Sequence, residues 1–245
     1  MFPIRDNNPS GRVPFVNWAL IALNMGLFVW TWLLQPHENA SYDILYTYGM
    51  VPSNLTQGAG WMTLVTSMFL HAGWGHILGN MLFLWIFGDN IEDAFGHVKY
   101  LCYYIASGVA AGLFQYVFEP YSHIPVIGAS GAIAGVLGGY LFLFPKARVD
   151  ILVLFKVFTL PAWVVLTAWF GFQVFGGLNA QIDEDGGVAY WAHAGGFIAG
   201  IALTALYWWR NGAQSYWRSH NGRPPNPSST YLVTQYGVPR VVRRK

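Results

Sequence analysis

Six times between Pro14 and Trp209 the sequence returns to an apolar run close to the length that crosses a bilayer, and nothing else in it restricts the fold as strongly. A helix rising about 1.5 Å per residue needs about twenty mostly apolar residues to traverse about 30 Å of hydrocarbon. Cut at Pro, Gly and charge, the chain divides into Pro14 to Leu34, Ile77 to Asn90, Val98 to Phe118, Ile127 to Phe144, Leu152 to Gly176 and Trp191 to Trp209. The second run is short, and the apolar stretch Met62 to Leu70 before it is expected to be interfacial or re-entrant. Only 10% of the 245 residues are charged while 54% are hydrophobic, whereas a soluble domain carries about a quarter charged residues. The expected fold class is therefore an all-α integral membrane bundle. Twelve Trp and fourteen Tyr suit rings at the two interfaces.

Charge placement tests the number of crossings. Arg5 and Arg12 precede the first run, Lys99 follows the second, Lys146, Arg148 and Lys156 flank the turn between the fourth and fifth, and the remaining basic residues follow the sixth. With six crossings all thirteen fall on one side, which the positive-inside rule makes cytoplasmic. The opposite loops hold Glu38, Asp43, Glu119, Asp183, Glu184 and Asp185 without Lys or Arg. The expected organisation is a cytoplasmic N-terminal segment over residues 1–13, a six-helix membrane domain over 14–209, and a basic, flexible cytoplasmic tail over 210–245 that touches anionic lipid. The opening residues lack the apolar core and cleavage site of a signal peptide. Cys102 is the single cysteine, so neither an internal disulfide nor a cysteine metal cluster is expected. No repeat relates the two halves, which disfavours an inverted-repeat transporter.

Polar side chains inside apolar spans are costly unless they face protein or water. Here they are His71, His76 and Asn80 around the start of the second run, Ser130 at the start of the fourth and His193 at the start of the sixth. Those three runs cross in the same direction, so the residues are expected at one depth near the outer face. Ser130 lies in Gly128-Ala-Ser-Gly131, and by itself a serine between glycines is more often a helix-packing position than a nucleophile. His193 by itself is as readily a histidine bonded to backbone. Gly196 and Gly200, however, make a close-packing face three residues from His193, where an imidazole can meet a serine on the partner helix. Nucleophilic catalysis needs such a hydroxyl, a base near neutral pKa and donors aimed at the oxyanion. His76 and Asn80 at i, i+4 share a face suited to that third role, although His and Asn also serve as interhelical glue. His71 reads as structural or cavity-lining. No carboxylate has a claim to orient His193, so a dyad is expected. Zinc-protease spacing and paired intramembrane aspartates are both missing.

Taken together, His71-Ala-Gly-Trp-Gly-His76-Ile-Leu-Gly-Asn80, Gly128-Ala-Ser130-Gly131 and Ala192-His193-Ala-Gly-Gly196-Phe-Ile-Ala-Gly200 resemble the rhomboid intramembrane serine proteases in order and in placement on the helices. The stretch Phe87 to Gly96 is similar to that family's exit from its second helix, and the compact plan looks bacterial. The resemblance implies a Ser130/His193 dyad and an oxyanion site formed by the Ser130 backbone N–H, His76 and Asn80. It also implies His71, Gly128 and Gly131 as supporting residues and peptide hydrolysis through an acyl-enzyme. No cofactor or metal is implied. The partners would be transmembrane protein substrates and the lipid bilayer, with no nucleic acid, in the inner (plasma) membrane with the active site opening outward. Two positions depart from the family: Trp61 is followed by Met62 rather than Arg, and Ala134 stands where some members stack an aromatic on the histidine. Orientation of His193 must then come from other packing. A non-cutting client-binding relative is the alternative reading, and a channel a third, disfavoured because beyond the outer third the polar stripe is sparse, mainly glycines, Ser107 and Gln115. The Gly- and acid-rich loop from Gly176 to Tyr190 is a candidate cap.

Overall fold

A computed structural model describes residues 2–33, 40–179, 188–220, 222, 230–233 and 239–242. In chain order these form β1 (Phe2–Asp6), α1 (Phe15–Leu33), α2 (Ala40–Tyr48), α3 (Pro52–Thr56), α4 (Thr63–Thr66) with a 3-10 turn at Ser67–Phe69, α5 (Trp74–Phe95), α6 (His97–Phe118) and α7 (Ser130–Leu143). The hairpin of β2 (Arg148–Val153) and β3 (Lys156–Pro161) follows, then α8 (Ala162–Asn179), α9 (Tyr190–Arg210), α10 (Gln214–His220), β4 (Thr230–Val233) and β5 (Pro239–Val242). Each apolar run contains one long helix: α1, α5, α6, α7, α8 and α9.

Three boundaries differ from expectation. Helix α5 starts at Trp74 and takes in His76, which makes it 22 residues, about 33 Å at 1.5 Å per residue. The stretch before it folds as the short α4 and its 3-10 turn. Helix α7 has 14 residues, about 21 Å. The fifth run is not helical from Leu152: residues 148–161 pair as an antiparallel hairpin, Val149 opposite Leu160 and Ile151 opposite Phe158, and the helix begins only at Ala162. Its β-branched and aromatic residues satisfy a strand as readily as a buried helix, and periodicity cannot separate the two in a short apolar run. Leu154 and Phe155 form the turn with φ of 45° and 66°. Both central residues therefore lie in the left-handed region, as a type I′ hairpin requires, at a cost of about 1 to 2 kcal/mol each for residues other than glycine.

The exterior is apolar, and polar side chains are buried among the apolar core. Trp18, Leu23, Trp30 and Trp32 of α1 and Trp163, Phe172, Phe175 and Leu178 of α8 are exposed, while Asn17, Asn24, Asn80, Ser107, Gln115, Gln173 and Thr204 are buried. Such an exterior suits hydrocarbon as solvent. Helices α1 and α6 are each long and apolar enough to cross a membrane, and α7 is a shorter apolar helix. Helix α7 is central, with every residue from Gly131 to Tyr140 buried.

Glycines set how closely α7 and α9 approach. A Cβ at Gly196 would overlap the Gly131 carbonyl, one at Gly200 would overlap the Gly135 carbonyl, and one at Gly138 would overlap the Phe197 carbonyl. Backbone meets backbone along this seam, which fixes the register of the two helices.

The opposite end of the bundle is held by polar groups. Buried Glu92 accepts hydrogen bonds from the Val16 and Asn17 amides at 3.0 and 2.7 Å, satisfying orphan donors at the start of α1, and it also pairs with His97. The N-terminal segment is not loose: β1 adds antiparallel to β2, and Arg5 Nε donates to Asp150 at 2.6 Å, as does the Thr159 hydroxyl. Burial opposes the ionised Asp150 carboxyl, but these donors together with Asn7 hold it below the usual carboxylate range. Asp6 takes a hydrogen bond from Tyr140, yet burial outweighs that contact and, with the charge of Asp89, pushes its pKa up to about 8. The first part of the tail packs on the bundle. Trp217 of α10 packs on Phe142 and Trp208, and Lys146 N–H donates to the Gly222 carbonyl. The tail prolines Pro224, Pro225 and Pro227, the terminal Arg243, Arg244 and Lys245, and the loop acids Glu38, Asp183, Glu184 and Asp185 lie outside the described residues.

Candidate active site

Ser130 is the first residue of α7, where a helix leaves its leading N–H groups without intrahelical partners. The segment before it is pinned at two points: Met50 and Val126 exchange backbone hydrogen bonds of 3.0 and 2.8 Å, and Gly128 N–H donates to the Ser67 carbonyl at 2.9 Å. The chain turns into the helix at Gly128, whose φ of 117° disfavours any other residue. A Cβ there would stand 2.7 Å from Nε2 of His76 and 3.6 Å from the Ser130 hydroxyl. Gly128 therefore leaves the space that the His76 ring edge occupies beside the turn that leads into Ser130. The His71 ring lies edge-on to His76 at 5.0 Å, and His71 Nε2 is 3.5 Å from the Ala129 amide. Together the two histidines buttress the backbone that presents the hydroxyl. Asn80 sits one turn below His76 and donates from its amide to the His76 carbonyl at 3.0 Å. In this conformation it braces α5, and its second N–H is the one available for an oxyanion.

His193 approaches from α9, in its first turn. Its Nδ1 is 2.7 Å from Oε1 of Gln173 on α8, and the Trp169 ring, one turn earlier on α8, lies 5.9 Å from the imidazole at 33°. The helix start that carries it is anchored by the Ala192 N–H donating to Gln115 of α6 at 2.9 Å. No hydrogen bond joins Ser130 to His193 among the described residues. Apo sites commonly hold such pairs loosely, and the free imidazole edge is Nε2, since Nδ1 is engaged by Gln173. Ser130 opens into a crevice of about 20 Å³ lined also by Met50, Ser67, Met68, Gly128 and Ala192, which is room for about one water. Neither His76 nor His193 lines it.

The structure thus brings Ser130, Gly128, His76 and His71 together, sets His193 across the glycine seam formed by Gly131, Gly196 and Gly200, and turns the Asn80 amide toward its own helix. Sequence reasoning missed Gln173 and Trp169. Gln173 was legible as a buried polar residue in an apolar span, the criterion that found the histidines. Among the described residues no group of His, Cys, Asp and Glu is arranged to hold a metal ion.

An apolar exterior, polar side chains buried among the apolar core, and a serine at the head of a glycine-packed central helix near two histidines define a helical protein of the membrane class. A rhomboid domain model matches residues 58–210, and the chain belongs to the rhomboid family. Among similar proteins, Rhomboid protease GluP of Bacillus subtilis is 30% identical over 193 residues, covering 78% of this chain and 34% of that protein. Putative rhomboid protease YdcA of the same organism is 34% identical over 148 residues, 60% of this chain and 67% of that protein. Rhomboid protease AarA of Providencia stuartii is 25% identical over 211 residues, 77% of this chain and 71% of that protein. The chain therefore spans about a third of the length of GluP and about two thirds of the other two.

Proposed function

We propose that this chain is an intramembrane serine endopeptidase that cuts transmembrane proteins in or near their spans, with Ser130 as nucleophile and His193 as general base. The observation that carries the reading is the serine at the N-terminus of α7, two residues after the Gly128 turn that makes room for His76, on a helix whose glycine seam packs against the helix carrying His193. In the reaction His193 Nε2 takes the hydroxyl proton as Ser130 Oγ attacks the scissile carbonyl. The Ser130 N–H, His76 and the second N–H of Asn80 receive the oxyanion. Collapse expels the amine, which takes the proton from His193, and water then hydrolyses the acyl-enzyme by the same route. Gln173, accepting from Nδ1–H of His193, selects the tautomer that leaves Nε2 basic, the part a carboxylate plays in soluble triads.

The reading includes six spanning helices, α1, α5, α6, α7, α8 and α9, a membrane domain over 14–209, and both termini on the cytoplasmic side of the plasma membrane. The basic residues on one side support it. Helix α7, at about 21 Å, is shorter than the hydrocarbon core, so a serine at its outer end lies below the membrane plane. A crevice that holds one water does not admit a peptide, so substrate access requires displacement of the segments carrying Met50 and Met68.

The test is cleavage of a labelled single-span substrate by purified wild type, Ser130→Ala and His193→Ala, with a fluorophosphonate probe read by intact mass. Wild type alone should cut, and the probe should add to Ser130. Cleavage that survives Ser130→Ala would overturn the assignment, and folded wild type that neither labels nor cuts would move it to a client-binding role.

A further inference from the structure

The β2–β3 hairpin ends in a way that water does not explain. Leu154 and Phe155, the two turn residues, are 87% and 97% exposed and both have positive φ. Asn-Gly or Asp-Gly would make the same turn without strain and with polar atoms outward. Leu152 and Val157, directly opposite each other just behind the turn, are also exposed, as is Phe158. The polar pairs are confined to the root, where Arg5, Asn7 and Thr159 converge on Asp150. The sheet is thus polar where it joins the bundle and, Lys156 apart, apolar at its tip.

Its place in the fold identifies the apolar phase. Strand β3 runs without a loop from Pro161 into α8, and Trp163, on the first turn of α8, is exposed where an interfacial ring belongs. Strand β2 leaves the same end of α7. Exposed Arg148 stands at the root and exposed Lys156 immediately follows the turn, so the apolar tip is flanked by positive charge. A long lysine stem can lie along an apolar surface while its ammonium stays among phosphates. We propose that the Leu154–Phe155 turn is a membrane wedge that inserts shallowly into the anionic phospholipid leaflet on the basic side of the protein, with Lys156 and Arg148 against the headgroups. The wedge rests on the membrane-spanning reading above, not on catalysis.

The experiment places an environment-sensitive nitrobenzoxadiazole label at Phe155→Cys, and separately at Val157→Cys, in a Cys102→Ala background. The protein is reconstituted in phosphatidylethanolamine–phosphatidylglycerol vesicles. Leu23→Cys, on the exposed face of α1, reports the spanning helix, and the same dye on N-acetylcysteine reports free solution. Positions 155 and 157 should be quenched by shallow doxyl-labelled lipid, with iodide quenching at least about fivefold below the free conjugate. Replacing Lys156 and Arg148 by Gln should raise iodide access at 155 about twofold. Full iodide quenching at 155 and 157 with lipid quenching retained at Leu23→Cys would overturn the wedge and leave the spanning helices standing. Loss of lipid quenching at all three positions would overturn both. Protection of 155 from iodide without any lipid quenching would also reject the wedge, assigning the tip to a protein contact instead.

Discussion

Gln173 is the least anticipated member of the site, and its role separates cleanly from packing. Gln173→Leu removes the acceptor for His193 Nδ1 while keeping most of the volume. Turnover should fall about 10- to 100-fold, as for modest misplacement of a reacting group, with KM little changed. Gln173→Glu restores an acceptor and should recover activity with an altered pH profile, measured by initial rates on a single-span substrate. Gly128→Ala should be severely disruptive, because it adds positive-φ strain and a Cβ 2.7 Å from the His76 ring. Loss of fluorophosphonate labelling with the fold retained in detergent checks it. Ser130, His193, His76, Asn80 and His71 stand out in the sequence as candidates because each breaks an apolar or glycine-rich stretch. What could not be read was direction, since nothing in the spacing says that the Asn80 amide turns back to the His76 carbonyl.

Helix identities were equally legible, since a twenty-residue apolar run has few alternatives, and the glycine face of α9 announced its close partner. The hairpin was hidden in the fifth run because its strands are as apolar as the helix they precede. Their turn carries Leu and Phe rather than Asn-Gly, so no turn signal marks it, and the third strand, β1, pairs with β2 from more than 140 residues away, which no local window contains. The α7–α9 seam yields a sharp expectation. Gly200→Val drives two methyls toward the Gly135 carbonyl and should cost about 1 to 3 kcal/mol of stability, as overpacking does. Because it also tilts α9, activity should vanish before the fold does, read as residual cleavage against thermal unfolding in the same detergent. Glu92→Ala leaves the Val16 and Asn17 amides without their acceptor and should lower stability by about 2 to 4 kcal/mol.

For the molecule as a whole the N-terminal segment acts as a clasp, and its hold should depend on pH. In the unfolded chain Asp6 ionises near 3.8, whereas docked it holds its proton to about 8. Docking therefore takes up a proton. Its contribution is complete below about pH 4 and is lost progressively as pH rises through 8. Amide exchange in residues 2–6 should accelerate from pH 6 to pH 9 beyond the intrinsic rate, and Asp6→Asn should abolish the excess. The same clasp imposes an order on synthesis. Arg5 finds Asp150 across 145 residues of sequence, so β1 is paired only after α7 and β2 exist. At about 5 to 20 residues per second the ribosome needs roughly 10 to 30 s to supply that partner. Strand β1 thus waits unpaired while α1, α5, α6 and α7 are made, and its closure reports that the helices between the two strands have been laid down in the right sequence.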